Sequence, residues 1–316
     1  MSQAGGIGSS LVMDFETTYG ADPTSKAGVK LPRTKVALTR GRNLSDSATL
    51  REERNPAEPI RGFVNVEGAL EVPLDVKAFG YWLKAAFGAP TTTGKGPYTH
   101  VFKVRAEQPS MVIEQGHADI GKYFKFNGCK VSSLSFSFGK GDGELTAKVG
   151  VIGSNGAVLS APYNSGAQKA SFLRLNNCQA LLKEGGTVLA DGTGGEVSLD
   201  MGLETDSYVL AGGGVRGNPR EGILKASGSL TALFTPGAAA LLDKGIAGTE
   251  TSVEVIFTQG THSLSFRFPE VLMEETTPGV DGPAGILLEV PWRGFHEDDA
   301  NGSVVVATLV NDIAGY

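Results

Sequence analysis

A segment of 21 residues occurs twice in this chain, at an offset of 160 residues. The first copy, GALEVPLDVKAFGYWLKAAFG, runs from Gly68 to Gly88, and the second, GSLTALFTPGAAALLDKGIAG, runs from Gly228 to Gly248. Residues 46–88 share ten identities in 43 ungapped positions with the stretch 160 residues later, where chance gives about two or three. Because long internal repeats usually correspond to structural units, the repeat predicts a duplicated domain.

The local pattern of each copy predicts strands followed by one short helix. GFVNVEGALEV and GILKASGSLTALF alternate apolar with small or polar residues, which is typical of half-buried strands. Asp75 and Thr235 occupy equivalent positions and are suitable helix N-caps, and Gly88 and Gly248 are suitable helix ends. Strand-like stretches follow in both copies. We therefore predict a mainly-β fold, all-β with one short helix per unit, in two tandem β-sandwich or barrel domains.

The 316 residues accommodate two domains of about 150 residues each. A stretch rich in Gly, Ser and Asn lies between the copies and has the composition of a linker. We expect an N-terminal arm (1–35), a first domain (36–155), a linker (156–170), a second domain (171–295) and a C-terminal arm (296–316).

The net charge of −6 is distributed unevenly. Residues 1–160 contain 19 Lys and Arg against 15 Asp and Glu, a net charge of +4, whereas residues 161–316 contain 9 against 19, a net charge of −10. A globally acidic chain is a poor general DNA-binding protein. The asymmetry instead predicts that the two domains attract each other at their boundaries.

The sequence lacks the motifs of enzymes and of metal sites. The four His residues are scattered, and neither a nucleophile elbow nor a phosphate-binding loop occurs. No apolar run is long enough to cross a membrane, and the N-terminus does not resemble a signal peptide. Two Cys residues are too few for a disulfide framework and favour a reducing compartment. We expect a protein with no catalytic activity, no cofactor, no metal and no membrane association.

The order of these patterns resembles that of the tail tube (major tail) proteins of long-tailed, non-contractile bacteriophages. The resemblance rests on ETTYG (16–20), LPRTKVALTRG (31–41), the long polar loop after it, the repeated strand and helix, and the late strand containing F-x-F. It implies a structural virion protein that polymerises into stacked rings, which form the conduit for DNA ejection. Rings of this family are commonly sixfold, and a chain with two tube domains predicts a homotrimer with pseudo-sixfold symmetry.

The resemblance also implies the partners and the location. The partners are other copies of the chain and the tail terminator, tape measure and distal tail proteins. Viral DNA is expected to pass through the lumen without specific binding. The protein is expected in the host cytoplasm before assembly and in the phage tail afterwards.

A long polar loop follows the first strand of each domain, and the family resemblance implies that it contacts the adjacent ring. The first loop spans residues 41–62 and the second loop spans residues 202–222. The candidate inter-ring residues are Asp46, Arg51, Glu52, Glu53, Arg54, Glu58 and Arg61 in the first loop, and Asp206, Tyr208, Arg216 and Arg220 in the second.

Two other functions remain open from the sequence. A β-sandwich adhesin or carbohydrate-binding module of a virion or cell surface has the same strand patterns, although the missing signal peptide and disulfides count against a secreted form. An enzyme on a duplicated β scaffold requires convergent reactive residues, which the motif search does not find.

Overall fold

The computed structural model describes residues 3–208, 213–280 and 282–316. Within these residues it has twenty β-strands, two α-helices and two single-turn 3₁₀-helices. The strands and α-helices are, in chain order, β1 (Ser9–Phe15), β2 (Val29–Lys30), β3 (Lys35–Val36), β4 (Thr39–Ser45), β5 (Ile60–Pro73), α1 (Phe79–Phe87), β6 (Thr91–Thr93), β7 (Tyr98–Lys103), β8 (Met111–His117), β9 (Lys122–Phe138), β10 (Thr146–Gly153), β11 (Asn155–Leu159), β12 (Gln168–Lys169), β13 (Ala180–Glu184), β14 (Thr187–Val188), β15 (Gly192–Asp200), β16 (Lys225–Leu233), α2 (Pro236–Ala247), β17 (Thr251–Gln259), β18 (His262–Met273), β19 (Leu287–Phe295) and β20 (Val306–Asn311). The prediction of a mainly-β fold is confirmed.

The repeated segment forms the strand and helix expected in each copy. Thr235 caps α2, since its hydroxyl oxygen accepts a hydrogen bond from the Ala238 N–H at 3.2 Å. The carboxylate of Asp75 accepts main-chain N–H groups of residues 77–79, in the turn from which α1 begins. Gly248 ends α2 with a positive φ of 59°, a backbone conformation that favours glycine. Local capping therefore fixes both helices at the ends of β5 and β16.

The strands of residues 9–159, here called the first half, and of residues 180–311, the second half, pair in similar orders. In the first half β5 pairs with β10 and β10 with β9, whereas in the second half β16 pairs with β19 and β19 with β18. The long strands β9 and β18 also pair, through their first residues, with β8 and β17 respectively. The segment expected as an N-terminal arm contributes β1, which pairs with β8 as β13 pairs with β17.

One antiparallel sheet of eight strand positions runs through both halves. Its order is β3 with β4, then β5, β10, β9, β15, β16, β19 and the end of β18. Directly paired residues share a face, since side chains alternate along each strand. One row across the sheet is polar: Lys35, Glu71, Lys148, Ser135, Ser198, Ser227 and Arg293. The next row faces the core: Leu70, Val149, Leu134, Leu199 and Ala226.

Between α1 and β8 the first half forms the hairpin β6–β7, which has no counterpart between α2 and β17 and pairs through β7 with the C-terminal strand β20. The chain then returns to α1, where the ring of Tyr316 lies against Gly80 so closely that a Cβ there would overlap it. The Tyr316 hydroxyl donates to the Lys77 carbonyl oxygen at 2.6 Å, and the Lys84 ammonium donates to the Tyr316 carbonyl oxygen at 2.8 Å. The C-terminal arm expected from the sequence therefore fastens the second half to the helix of the first.

Candidate assembly surfaces

The two halves meet along an antiparallel ladder between β9 and β15. Residues 195–200 pair with residues 133–138, one to one along six positions. The core continues across this ladder, since the ring of Phe136 lies 4.8 Å from that of Phe266 and 6.2 Å from that of Phe257, centroid to centroid. Main-chain hydrogen bonds and aromatic packing together make the halves one continuous structure.

The second loop extends this boundary over the end of the first half. Arg216, which is 4% exposed, donates through Nη1 to the carbonyl oxygens of Gly153, at 3.0 Å, and Val66, at 3.3 Å. Its Nη2 donates to Asn65 Oδ1 at 2.9 Å. A guanidinium holds its five N–H donors in a fixed plane, which suits several acceptors at once. Arg216 therefore joins the second loop to the main chain of β5 and β10.

An aromatic contact and a buried ion pair complete the same interface. The rings of Tyr208 and Phe63 have centroids 4.8 Å apart. Glu221 Oε1 lies 2.6 Å from Lys130 Nζ, whose side chain is 3% exposed, and it also accepts the Gln108 N–H. Burial alone raises the pKa of a carboxyl group, but these two donors hold the pKa of Glu221 below its ordinary value. Glu221 therefore stays ionised and neutralises a buried ammonium.

The two predicted loops differ in their surroundings. In the second loop Asp206 and Arg220 are exposed, Tyr208 is half-buried and Arg216 is buried; residues 209–212 of this loop lie outside the described residues. The first-loop candidates are all exposed: Asp46, Arg51, Glu52, Glu53, Arg54, Glu58 and Arg61. The structure brings Arg51 and Glu53 together as an ion pair within the first loop. It does not gather the eleven residues into one site.

Both ends of the eight-position sheet have a free edge in the described part of the chain. At one end, β3 and β4 pair only with β5. At the other end, β17 accompanies β18 as far as Val271, and residues 274–280 continue without a strand partner on that side. The corresponding residues of β9 remain a strand because β15 pairs with them. Free edges present unpaired N–H and C=O groups, so each edge can accept another strand.

The polar face of this sheet, here called the open face, has small and mixed-charge side chains. β9 contributes three serines, at positions 133, 135 and 137, and β16 contributes two more, at 227 and 229. Acidic residues outnumber basic ones among the charged side chains described on this face, which are Glu67, Glu71, Glu196, Asp200, Glu274 and Glu289 against Lys35, Lys148, Lys225 and Arg293. Such a surface offers a polyanion no cluster of positive charge.

The described residues contain no group of His, Cys, Asp and Glu arranged to hold a metal ion. His100 is fully buried in a structural setting, with hydrogen bonds to Thr92 Oγ1 and to the Ile313 carbonyl oxygen, both at 2.8 Å. Cys129 is buried, which raises the pKa of its thiol, and Cys178 is exposed. Neither described helix has the length and apolar character needed to cross a bilayer.

Two features of these surfaces were not identified from the sequence. The first is the burial of Arg216, which in the sequence is one of several charged loop residues. Its burial depends on carbonyl groups about 60 and 150 positions away along the chain. The free edge at 274–280 reads as a loop, because EETTPG lacks strand alternation. The signal that could have found it is the repeat, since residues 123–136 align with residues 265–275.

Comparison with known proteins supports the architecture. No curated protein matches the chain significantly in sequence. A family model described as phage tail tube protein matches residues 6–294, which is nearly the whole chain. The chain therefore belongs to the phage tail tube protein family, a structural rather than an enzyme family, whose members assemble into the tube of the virion tail.

Proposed function

We propose that three copies of this chain close into a ring of the tail tube, with pseudo-sixfold symmetry. The observation that carries this proposal is the pair of free edges at opposite ends of one continuous sheet. A chain with a different free edge at each end associates head to tail, and such contacts close into a ring when the rotation permits. The similar strand order of the two halves supports a duplicated tube domain and six similar positions around the ring.

The internal boundary provides the template for the boundary between chains. Within the chain, residues 195–200 of β15 pair with residues 133–138 of β9. In the ring, residues 36–41 of one chain take the place of β15 and residues 274–280 of the next chain take the place of the end of β9. Pairing of these edges gives each backbone N–H and C=O group a partner and removes both free edges.

The open face lines the lumen in this arrangement. Its serines and its small excess of acidic groups let duplex DNA slide during ejection, since the described residues of this face include no cluster of Lys and Arg to hold phosphates. The charged tip of the first loop, from Asp46 to Glu53, contacts the adjacent ring. Tail terminator, tape measure and distal tail proteins complete the tail, and the chain is in the host cytoplasm before assembly.

Electron microscopy and native mass spectrometry of the purified protein test the ring. We expect rings with six similar subunit densities that contain three chains, and oligomers in multiples of three. A ring of six complete chains, with twelve tube domains around it, would contradict the proposal. Tubes that retain duplex DNA at physiological salt would contradict the proposed lumen.

Deletion of residues 47–53 tests the stacking role of the first loop. We expect rings that no longer form long tubes, because the contact between rings is lost while the lateral edges remain. Ile120→Ser, in the exposed turn between β8 and β9, is the control and should form normal tubes. Normal tubes from the deletion variant would refute the stacking role.

A further inference from the structure

A groove of about 1100 Å³ lies at the end of the second half. It runs over the ends of β16 and β19, and its lining includes Ile223, Lys225, Ala226, Arg293, Gly294 and Phe295. Ile223, beside the ends of these strands, is 85% exposed in the chain. The groove is therefore a surface at which a partner could bury apolar area.

The groove occupies the place that the second loop fills in the first half. Ala226 pairs with Gly294 at the end of the β16–β19 ladder, as Val66 pairs with Gly153 at the end of the β5–β10 ladder. In the first half the carbonyl oxygens of that terminal pair accept hydrogen bonds from Arg216. The described residues provide no arginine for the corresponding pair in the second half.

The neighbouring positions show the same difference in cover. Phe63 packs against Tyr208 of the second loop and is 52% exposed, whereas its counterpart Ile223 is 85% exposed. Lys130 is 2% exposed beneath the second loop, whereas its counterpart Leu272 is 40% exposed. The second half thus presents the same receptor surface without its occupant.

We propose that this groove binds the returning part of the first loop, residues 54–62, from the next chain of the ring. The inference rests on the proposed ring, in which β3 and β4 of that chain extend the edge next to the groove. The first loop joins β4 to β5 as the second loop joins β15 to β16, so the two loops leave the sheet at equivalent positions. Only the second loop finds its receptor within the chain.

The sequence of the first loop provides the matching side chains. Arg54-Asn55-Pro56 resembles Arg216-Gly217-Asn218-Pro219, with one residue fewer and a shift of two to three positions from the 160-residue offset of the repeat. Arg54 is exposed, and its guanidinium binds the carbonyl oxygens of Ala226 and Gly294 in the proposed complex. Ile60, which is 64% exposed, covers Ile223. Burial of both apolar side chains in the contact favours association of the two chains.

This assignment separates two roles along one loop. Residues 54–62 bind laterally, as residues 213–221 do within the chain, while the tip from Asp46 to Glu53 is left to contact the adjacent ring. The two roles predict different connectivity between chains, so they can be distinguished in the assembled tube.

Disulfide trapping tests the lateral contact. In a Cys178→Ser background, Asn55→Cys is combined with Ile223→Cys, tubes are assembled and oxidised, and the chains are separated under denaturing conditions. We expect a covalent species of three chains and no longer ladder, because each chain is linked to the next around one closed ring. Ile120→Cys with Ile223→Cys is the matched control and should remain unlinked, because Ile120 lies in the exposed turn between β8 and β9 and not in the first loop.

The other outcomes are decisive in different ways. Ladders longer than three chains place the returning part of the loop in the adjacent ring and overturn the lateral assignment. Rings that form without a link overturn it as well. If microscopy shows that the chains never form rings, the result contradicts the proposed function, and with it the assignment of the groove.

A side-chain variant tests the role of Arg54 without a crosslink. Arg54→Ala should raise the protein concentration needed for half-maximal ring assembly by about tenfold, the equivalent of a lost charge-assisted hydrogen bond. Arg174→Ala, at an exposed residue outside both loops that pairs with Glu144, should leave that concentration unchanged. Equal behaviour of the two variants would overturn the role of Arg54.

Discussion

The two halves of the chain have the same arrangement of strands but very different exposure. Leu74 at the end of β5 is fully buried, whereas its counterpart Phe234 at the end of β16 is 40% exposed. Seven of the nine residues of α1 are buried, against three of the twelve in α2. The first half is covered by the second loop, by residues 173–175 and by the C-terminal segment. The second half has no equivalent cover in the described residues.

The difference shows that the burial of equivalent residues depends on where each half lies in the chain and not on the fold of the half. Residues 173–175, which precede the second half, and the segment after β20 both pack onto the first half. Surfaces that a duplicated domain buries inside the chain must be buried by another chain in an assembly. The four changes below either break this contrast or measure it.

The largest effect is expected for Arg216→Ala. The change leaves the carbonyl oxygens of Val66 and Gly153 without their donor in a buried interface, and we expect a loss of about 3 kcal/mol in the free energy of unfolding of the isolated chain. Arg220→Ala, at an exposed position of the same loop, should change it by less than about 0.5 kcal/mol. Urea denaturation provides the measurement. Similar values for the two variants would show that the second loop does not hold the halves together.

The next contrast concerns the helices. Gly80→Ala should lower the free energy of unfolding by about 2 kcal/mol, because the new methyl group overlaps the ring of Tyr316 and displaces the C-terminal segment from α1. Gly237→Ala in the first turn of α2 meets only the tips of Asp191 and Thr235, so we expect a change below about 0.5 kcal/mol. Thermal unfolding of both variants gives the comparison. A neutral Gly80→Ala would mean that the C-terminal segment does not cover α1 in solution.

The second half contains a carboxylate whose effect on stability depends on pH. Main-chain N–H groups of Asp298 and Glu297 and the ring of His296 donate to Glu270 and lower its pKa to about 2. A lowered folded-state pKa means that this stabilisation is complete above the unfolded value of 4.5 and is lost as pH falls from there toward 2. Glu270→Gln should flatten the stability profile in that window. An unchanged slope would refute the assignment.

The smallest effect concerns the charge asymmetry. Two ion pairs join a base of residues 1–160 to an acid of residues 161–316, Lys130 with Glu221 and Lys77 with Asp312, while Arg174 and Glu144 pair in the opposite sense. We expect the rate of ring assembly to fall severalfold between about 0.05 and 0.5 M salt, as screening weakens attraction between unlike halves. A rate independent of salt would show that charge does not select the lateral partner.

The sequence predicted those parts of the fold that depend on local pattern. Alternation identified β5 and β16, and the capping residue Thr235 and the terminal Gly248 placed α2, because these signals act within a few residues. The loops were predicted to be functional from their length, but the residues that surround them were not predicted. Whether an arginine such as Arg216 or Arg54 is buried depends on which strands the rest of the chain brings beneath it.

The same limit explains the extra hairpin of the first half. The sequence predicted a C-terminal arm at residues 296–316 but no partner for it. The structure pairs this segment with the hairpin that follows α1, since β7 and β20 pair along six residues. The two segments are about 200 residues apart and form one ladder, and the local sequence of neither indicates that it pairs with the other.

The ladder between β9 and β15 also affects how the tube would be built. A ring of six single-domain subunits has six joints between separate molecules, and all of them except the one that closes the ring reduce the number of freely diffusing particles. Association of that kind opposes assembly by about 4–15 kcal/mol of translational and rotational free energy per step. In the proposed ring, alternate joints form when each chain folds, so three joints between chains remain and two associations precede ring closure. The concentration at which rings nucleate would then depend on half as many joints between chains. Rings with a wrong number of chains would also have fewer routes of formation.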